Sequence, residues 1–128
     1  MLDRIPHRPP VRLVEELLRA DADGAEASLL VREGSWLRHG SFAPEALVEA
    51  LAQTCALHAA KNAPEGASMQ GALAALTKWT FPARALPGER VLLAVKLQTR
   101  LGPLAAYEGV ARVGDREIAR GDLRVVGR

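Results

Sequence analysis

The stretch that decides the fold runs from Pro44 to Lys61 and reads PEALVEALAQTCALHAAK. Ala, Leu, Glu and Gln dominate it, and Pro44 suits the first turn, where a helix needs no backbone N–H, so the stretch predicts a helix. Because this helix is apolar on nearly every side, we expect it to be buried on most of its surface. A flat sheet would leave part of it uncovered, so the sequence predicts a sheet that curls around it.

Two polar residues interrupt this helix near its middle. Glu49 and Gln53 are four residues apart, so they share one face and lie within hydrogen-bonding reach of each other. A carboxylate on so apolar a helix must find a partner or become neutral, which makes Glu49 the first candidate for chemistry. Cys55 is expected to be a small core residue. His58, nine residues after Glu49, faces the other way and is predicted to lie at the core boundary.

Composition limits the classes of function. The 128 residues, 48% of them hydrophobic, fit one domain over 1–128 with one core. Seventeen basic and fifteen acidic residues give a net charge of +2, too balanced for a nucleic-acid binder. The single cysteine excludes an intrachain disulfide and a cysteine-built metal site, and we expect no metal and no cofactor. Without an apolar signal or a membrane-spanning run, we expect a cytoplasmic protein.

The rest of the chain predicts strands. Residues 11–20 fit either a helix or a strand, but a Gly-containing turn joins them to the alternating residues 25–32, which favours a hairpin. Residues 33–43 are predicted to be a loop that leads into the helix. After the helix, four strands are predicted at about Gly71–Ala83, Arg90–Arg100, Leu104–Val113 and Glu117–Val126, separated by Pro- and Gly-rich turns. The expected fold class is α+β, a curled antiparallel sheet around one long central helix.

Four stretches, in this order, match one known pattern. Ile5–Val11 resembles an opening Leu-Pro-His-Arg-x-Pro, and Leu47–Gln53 resembles a helix motif Val-Glu-x-x-Ala-Gln. Lys78–Arg84, followed by Leu86–Glu89, resembles Lys-Val-Lys-Phe-Arg-Arg-Pro-Val-x-Pro-Gly-Asp, and Tyr107–Ala111 resembles a closing hairpin. Together they resemble the hotdog-fold β-hydroxyacyl-[acyl-carrier-protein] dehydratases, including the divergent members of aryl-polyene pigment pathways, over nearly the whole chain.

The resemblance implies an activity and its catalytic residues. The family removes water from a 3-hydroxyacyl thioester to give a trans-2-enoyl thioester. A histidine in the loop before the helix takes the C2 proton, and the helix carboxylic acid protonates the departing hydroxyl. The matching residues here are His39 and Glu49. In the family the two groups come from different subunits of a homodimer, so a dimer is expected as well.

The same resemblance suggests residues that bind the substrate. The helix N-terminus would stabilise the enolate-like oxygen, with the backbone N–H of Glu45 as a donor. Trp36 and Phe42 are expected to line an acyl tunnel, and Gln53 lies beside Glu49. The expected substrate is a thioester carried by acyl carrier protein or coenzyme A.

Arginines near the tunnel mouth are expected to steer an acidic carrier protein. The candidates are Arg84, Arg90 and Arg100. The His39 loop is shorter than the family's, which motivates one alternative: a non-catalytic or partner-dependent subunit that pairs with a different hotdog chain. A second alternative on the same fold is an acyl-thioesterase in which the helix carboxylate activates water.

Overall fold

A long helix packed against an antiparallel sheet forms the centre of the fold in the computed structural model, which describes residues 12–34, 36–62 and 71–127. In chain order the elements are β1 (Glu16–Ala20), β2 (Gly24–Leu30), β3 (Leu37–Arg38), β4 (Ser41–Phe42), α1 (Pro44–Asn62), β5 (Gly71–Thr80), β6 (Arg90–Leu101), β7 (Leu104–Val113) and β8 (Arg116–Gly127). The sheet has six strands in the order β1-β2-β6-β7-β8-β5, while β3 and β4 pair only with each other within the described residues.

Helix α1 lies inside the curl of this sheet, as predicted. It packs against β1, β2, β6, β7 and β8. One broad face of the helix is fully buried; its residues include Ala46, Leu47, Ala50, Leu51, Thr54 and Cys55. Burial raises the pKa of the Cys55 thiol far above its ordinary value, which fits an inert core residue. In the described part of the chain, no helix is long and apolar enough to cross a membrane.

Glycine at position 109 lets the helix approach the sheet closely. A Cβ placed on Gly109 of β7 would lie 2.9 Å from Leu123 Cδ1 and 3.4 Å from Leu51 Cδ1. Both leucines are fully buried, so neither has room to move away. The absent side chain at this point of β7 therefore sets the distance between α1 and the sheet.

The strand bounds differ from the prediction most at the start of β1 and at the end of β5, while β2, β6 and β8 differ by one or two residues at their ends. Strand β1 begins at Glu16, and residues 12–15 precede it without pairing as a strand. Strand β5 ends at Thr80 rather than Ala83, after an irregularity in its pairing with β8 between Thr77 and Thr80. Lys78 has a φ of +60° there, a conformation that breaks the regular pleat. The motif at Ile5–Val11 lies outside the described residues.

The predicted loop at residues 33–43 contains a short hairpin, so that prediction is corrected. Strands β3 and β4 pair Leu37 with Phe42 and Arg38 with Ser41. The two residues between them, His39 and Gly40, have φ angles of +55° and +85°. Two consecutive positive φ angles form the tight turn that matches the natural twist of a hairpin. Strands of two residues are too short to show any alternation in the sequence.

His58 is buried, and its predicted place at the core boundary is wrong. Its side chain is only 1% exposed and bridges three parts of the fold. Nε2 donates a hydrogen bond to the carbonyl oxygen of Asp21 at 2.7 Å, and Nδ1 accepts one from the Tyr107 hydroxyl at 2.8 Å. Since a carbonyl only accepts, the Nε2 contact fixes this tautomer of the neutral ring. The face opposite Glu49 is thus the face that meets the sheet.

The ionisation of the Tyr107 hydroxyl can be predicted and measured without a substrate. Burial raises its pKa to about 12, above the usual value of about 10 for tyrosine. At a pH between these two pKa values, the unfolded chain releases a proton that the folded chain keeps. The free energy of unfolding therefore falls as the pH rises through this range. Because the chain has one tyrosine, the phenolate absorbance titrates this group alone. We expect a higher midpoint in the folded protein than in urea; equal midpoints would contradict the burial of this hydroxyl.

Candidate active site

The turn of the β3–β4 hairpin carries His39. Its imidazole is exposed at the tip, directly before helix α1. The hairpin is fixed to its surroundings by backbone hydrogen bonds: the N–H of Phe42 donates to the carbonyl of Ala85 at 2.8 Å, and the N–H of Ala43 donates to that of Trp36 at 2.8 Å. The histidine therefore stands on a short but anchored element rather than on a free loop.

A cleft of about 300 Å³ opens beside this turn, and we call it the His39 cleft. Its lining comprises Arg38, His39, Ser41, Phe42, Pro44, Leu47, Phe81, Ala83 and Arg84. Phe42 and Leu47 are buried and belong to the hydrophobic core, while the imidazole and both arginines are exposed. An apolar wall beside an imidazole and the exposed guanidinium of Arg84 suits a ligand with a hydrocarbon part and an anionic part.

The second candidate catalytic residue, Glu49, is half-buried and held by Gln53. The Gln53 side-chain N–H donates to the Glu49 carboxylate at 3.3 Å, the contact that the four-residue spacing predicts. The Gln53 carbonyl accepts hydrogen bonds from the backbone N–H groups of Leu13 at 2.9 Å and Val14 at 3.1 Å. Gln53 thus ties the segment before β1 to α1 and, through its amide, orients the carboxylate.

The structure does not bring Glu49 to the His39 cleft of its own chain. Helix α1 contributes Pro44 and Leu47 to the described lining of that cleft. Glu49 follows Leu47 by two residues, which places it about 200° further around the helix axis. The described residues therefore do not bring His39 and Glu49 together in one cleft of a single chain.

Glu45 lies in the first turn of α1, where a neighbouring cation compensates its negative charge. Its carboxylate forms an ion pair with Arg38 on β3. A hydrogen bond from its own backbone N–H, together with the Arg38 guanidinium, holds the pKa of Glu45 below its ordinary value. Arg38 thus compensates the negative charge of Glu45 at this end of the helix.

Trp36 and Phe42, the two expected tunnel residues, both line one cleft, which is distinct from the His39 cleft. Phe42 lies in the His39 cleft and also borders a second cleft of about 260 Å³. Trp36 lines that second cleft, together with Leu13 and Leu29, and packs against the core. The two aromatic residues therefore share this second cleft, and of the two only Phe42 is in the described lining of the His39 cleft.

Sequence reasoning did not single out two lining residues of the His39 cleft, Arg38 and Phe81. The signal for Arg38 was its position directly before the dipeptide His39-Gly40. Such a dipeptide predicts a hairpin turn, which would place Arg38 in a strand paired with the residues after the turn. Phe81 lay inside the Lys78–Arg84 motif without a role. Of the three arginines expected near the mouth, Arg84 lines the cleft, whereas Arg90 and Arg100 are not in its described lining.

A helix enclosed by a curled antiparallel sheet, with a histidine just before the helix and a carboxylate within it, defines a protein of the hotdog class. The family model for ApeP-like proteins, described as ApeP dehydratase, matches residues 1–128. The chain therefore belongs to the ApeP-like dehydratase family, and the resemblance inferred from its motifs is confirmed.

Solved structures support the same fold. The chain is similar to one in the dehydratase heterocomplex ApeI:P from Xenorhabdus doucetiae, with a TM-score of 0.80 and 17% identity over 99% of this chain and 90% of that one. It is similar to AziG of S. sahachiroi (TM-score 0.77, 18% identity, 95% of each chain). It is also similar to the fluoroacetyl-CoA thioesterase FlK (TM-score 0.71, 19% identity, 85% of this chain and 87% of that one). No curated protein matches the sequence significantly.

Proposed function

We propose that this chain is a 3-hydroxyacyl-thioester dehydratase that forms a trans-2-enoyl thioester. His39 takes the C2 proton, the C3–O bond breaks as the C2–C3 double bond forms, and Glu49 gives its proton to the hydroxyl that leaves as water. The observation that carries this proposal is the His39 cleft, where an imidazole adjoins an apolar wall in a chain of a dehydratase family. A half-buried carboxyl held by Gln53 suits the acid.

We further propose that a second hotdog chain completes each site. Its support is the position of Glu49, which is not among the described residues that line the His39 cleft of its own chain. A homodimer supplies a carboxylate to each histidine by symmetry. A different hotdog subunit does the same, and the similar chain in the ApeI:P dehydratase heterocomplex makes this version worth testing beside the homodimer.

The proposed substrate is carried by acyl carrier protein or coenzyme A. Both carriers are anionic, and the exposed Arg84 stands at the rim of the His39 cleft, whereas Arg38 is paired with Glu45. We expect the rate with an acidic carrier protein to fall as salt rises, because exposed charges are screened. A role in fatty-acid or polyene-like biosynthesis in the cytoplasm is the prediction that accompanies this substrate.

The test is an assay of the purified chain with 3-hydroxyacyl thioesters on both carriers. We expect enoyl absorbance to appear, either from the chain alone or after a second hotdog protein that co-purifies with it is added. If no enoyl absorbance appears under either condition while a known dehydratase turns over the same substrates, the proposal is overturned. Release of free thiol without alkene would instead assign the thioesterase alternative.

A further inference from the structure

Phe81 is the exposed wall of the His39 cleft. The opposite walls, Phe42 and Leu47, are 6% and 2% exposed and belong to the core, whereas Phe81 is 40% exposed. A change in a core residue disturbs its packed neighbours, but a change at Phe81 alters the cleft with less effect on the core. Of these three residues, Phe81 is therefore the one whose substitution can change the size of the His39 cleft with the least disturbance of the core.

The Phe81 ring rests on Trp79. The two residues lie on either side of Thr80, the last residue of β5. Their rings are stacked, with centroids 6.0 Å apart and planes 14° from parallel. Such offset stacking holds an exposed aromatic ring in one orientation. Trp79 therefore supports the cleft wall from outside the cleft lining.

Gly121 on β8 makes room for Trp79. A Cβ placed on Gly121 would lie 2.1 Å from Trp79 Cδ2 and 2.4 Å from Cε2, so the indole occupies the space of a side chain at this position. The indole N–H is buried and has no acceptor among the described residues. Packing on Gly121 and Phe81, rather than a hydrogen bond of this N–H, thus holds the ring in place.

We propose that Phe81 is a specificity-determining residue of the His39 cleft, and that Trp79 and Gly121 are positioning residues that fix it. The wall they build limits the size of the acyl group beside His39, so that long or branched groups are disfavoured. This inference rests on the proposed function, because it names the part of an acyl thioester that Phe81 selects. The ligand class is an acyl chain whose hydrocarbon part enters the cleft.

The first experiment compares dehydration of four-carbon and eight-carbon 3-hydroxyacyl thioesters. In Phe81→Ala, the kcat/KM ratio of the long to the short substrate should rise about tenfold, since a few methylene groups of extra space are worth at least that much. Trp79→Ala and Gly121→Ala should shift the ratio in the same direction by a smaller factor. Trp79→Phe, which keeps a ring for stacking, should restore most of the wild-type ratio. Leu101→Ala, at an apolar residue 70% exposed, is the matched control.

A binding measurement separates this inference from the proposed function. Saturated butanoyl- and octanoyl-coenzyme A cannot be dehydrated, and their affinities can be followed by the fluorescence of Trp79 in a Trp36→Phe background. If the protein binds both ligands but forms no alkene from the hydroxy substrates, either alone or with a second hotdog subunit, the proposed function fails. An octanoyl-to-butanoyl affinity ratio that rises in Phe81→Ala would still support the selection by this ring.

An octanoyl-to-butanoyl affinity ratio that stays the same in Phe81→Ala would overturn the proposal itself. If the variant with the unchanged ratio also altered its oligomeric state on size-exclusion chromatography, Phe81 would be a subunit contact rather than a cleft wall.

Discussion

Replacing Glu49 by Gln should lower kcat/KM for dehydration by about 10²–10⁴-fold, because an amide cannot deliver a proton to the leaving hydroxyl. The change is otherwise small. The new amide keeps an oxygen that can accept the hydrogen bond now donated by Gln53, so the tie between α1 and the residues before β1 is retained. Unfolding curves of the two proteins should therefore nearly coincide, and the loss can be assigned to chemistry.

The control for this variant is Glu16→Gln. It makes the same chemical change at an exposed position on β1, outside the described lining of the His39 cleft. Its rate should equal that of the wild type within twofold. A Glu49→Gln protein that retains more than about a tenth of wild-type activity would exclude this carboxyl as the essential acid.

Mixing two inactive variants tests whether the catalytic pair spans two chains. A dimer made of one His39→Ala chain and one Glu49→Gln chain has one site with both substitutions and one site with neither. Isolated with two different tags, it should show about half the wild-type rate per dimer if each site takes one residue from each subunit. If both residues came from the same chain, every site would carry one defect and the hybrid would stay inactive.

The geometry of α1 explains why the hybrid is the sharper experiment. Leu47 faces the His39 cleft and Glu49 faces away from it within the described chain. If the wild-type chain is active on its own and the hybrid dimer is inactive, a site shared between two copies of this chain is contradicted. A wild type that works only with a different hotdog subunit would move the same test to that mixed complex.

Sequence predicted the central helix and most strands well, because their signals are local. The composition of residues 44–61 and the turns between the last strands depend only on near neighbours, and β7 has the bounds that were predicted. The β3–β4 hairpin was not predicted, because a strand of two residues cannot show a period. Its signal was the dipeptide His39-Gly40, whose positive φ angles form the turn.

The candidate site was predictable only in part. His39 and Glu49 were named from motifs, and the Glu49–Gln53 contact followed from helix geometry. The wall at Phe81 depends on the meeting of β5, α1 and the hairpin, which are far apart in the sequence. The place of His58 was missed for the same reason, since its partners Asp21 and Tyr107 are 37 and 49 residues away.

Replacing His58 by Ala should reduce the free energy of unfolding by about 3–5 kcal/mol, the largest loss of stability that we expect from one substitution on α1. The imidazole fills a buried site that the helix closes against β7 and the β1–β2 turn. Its removal leaves a cavity, and it leaves the Tyr107 hydroxyl and the Asp21 carbonyl each without this hydrogen bond. Urea unfolding at one fixed protein concentration measures the loss and keeps any contribution of assembly constant.

Two further variants separate the hydrogen bonds from the packing. Tyr107→Phe removes one hydroxyl and keeps the ring, so it should cost only about 1–2 kcal/mol. The double variant His58→Ala/Tyr107→Phe no longer has the Tyr107 hydroxyl that His58→Ala deprives of its hydrogen bond. The sum of the two single-variant losses in unfolding free energy should therefore exceed the loss measured for the double variant. Lys61→Ala, at an exposed position in the last turn of α1, should change stability by less than about 0.5 kcal/mol. If His58→Ala costs no more than this control, the imidazole does not hold the helix to the sheet.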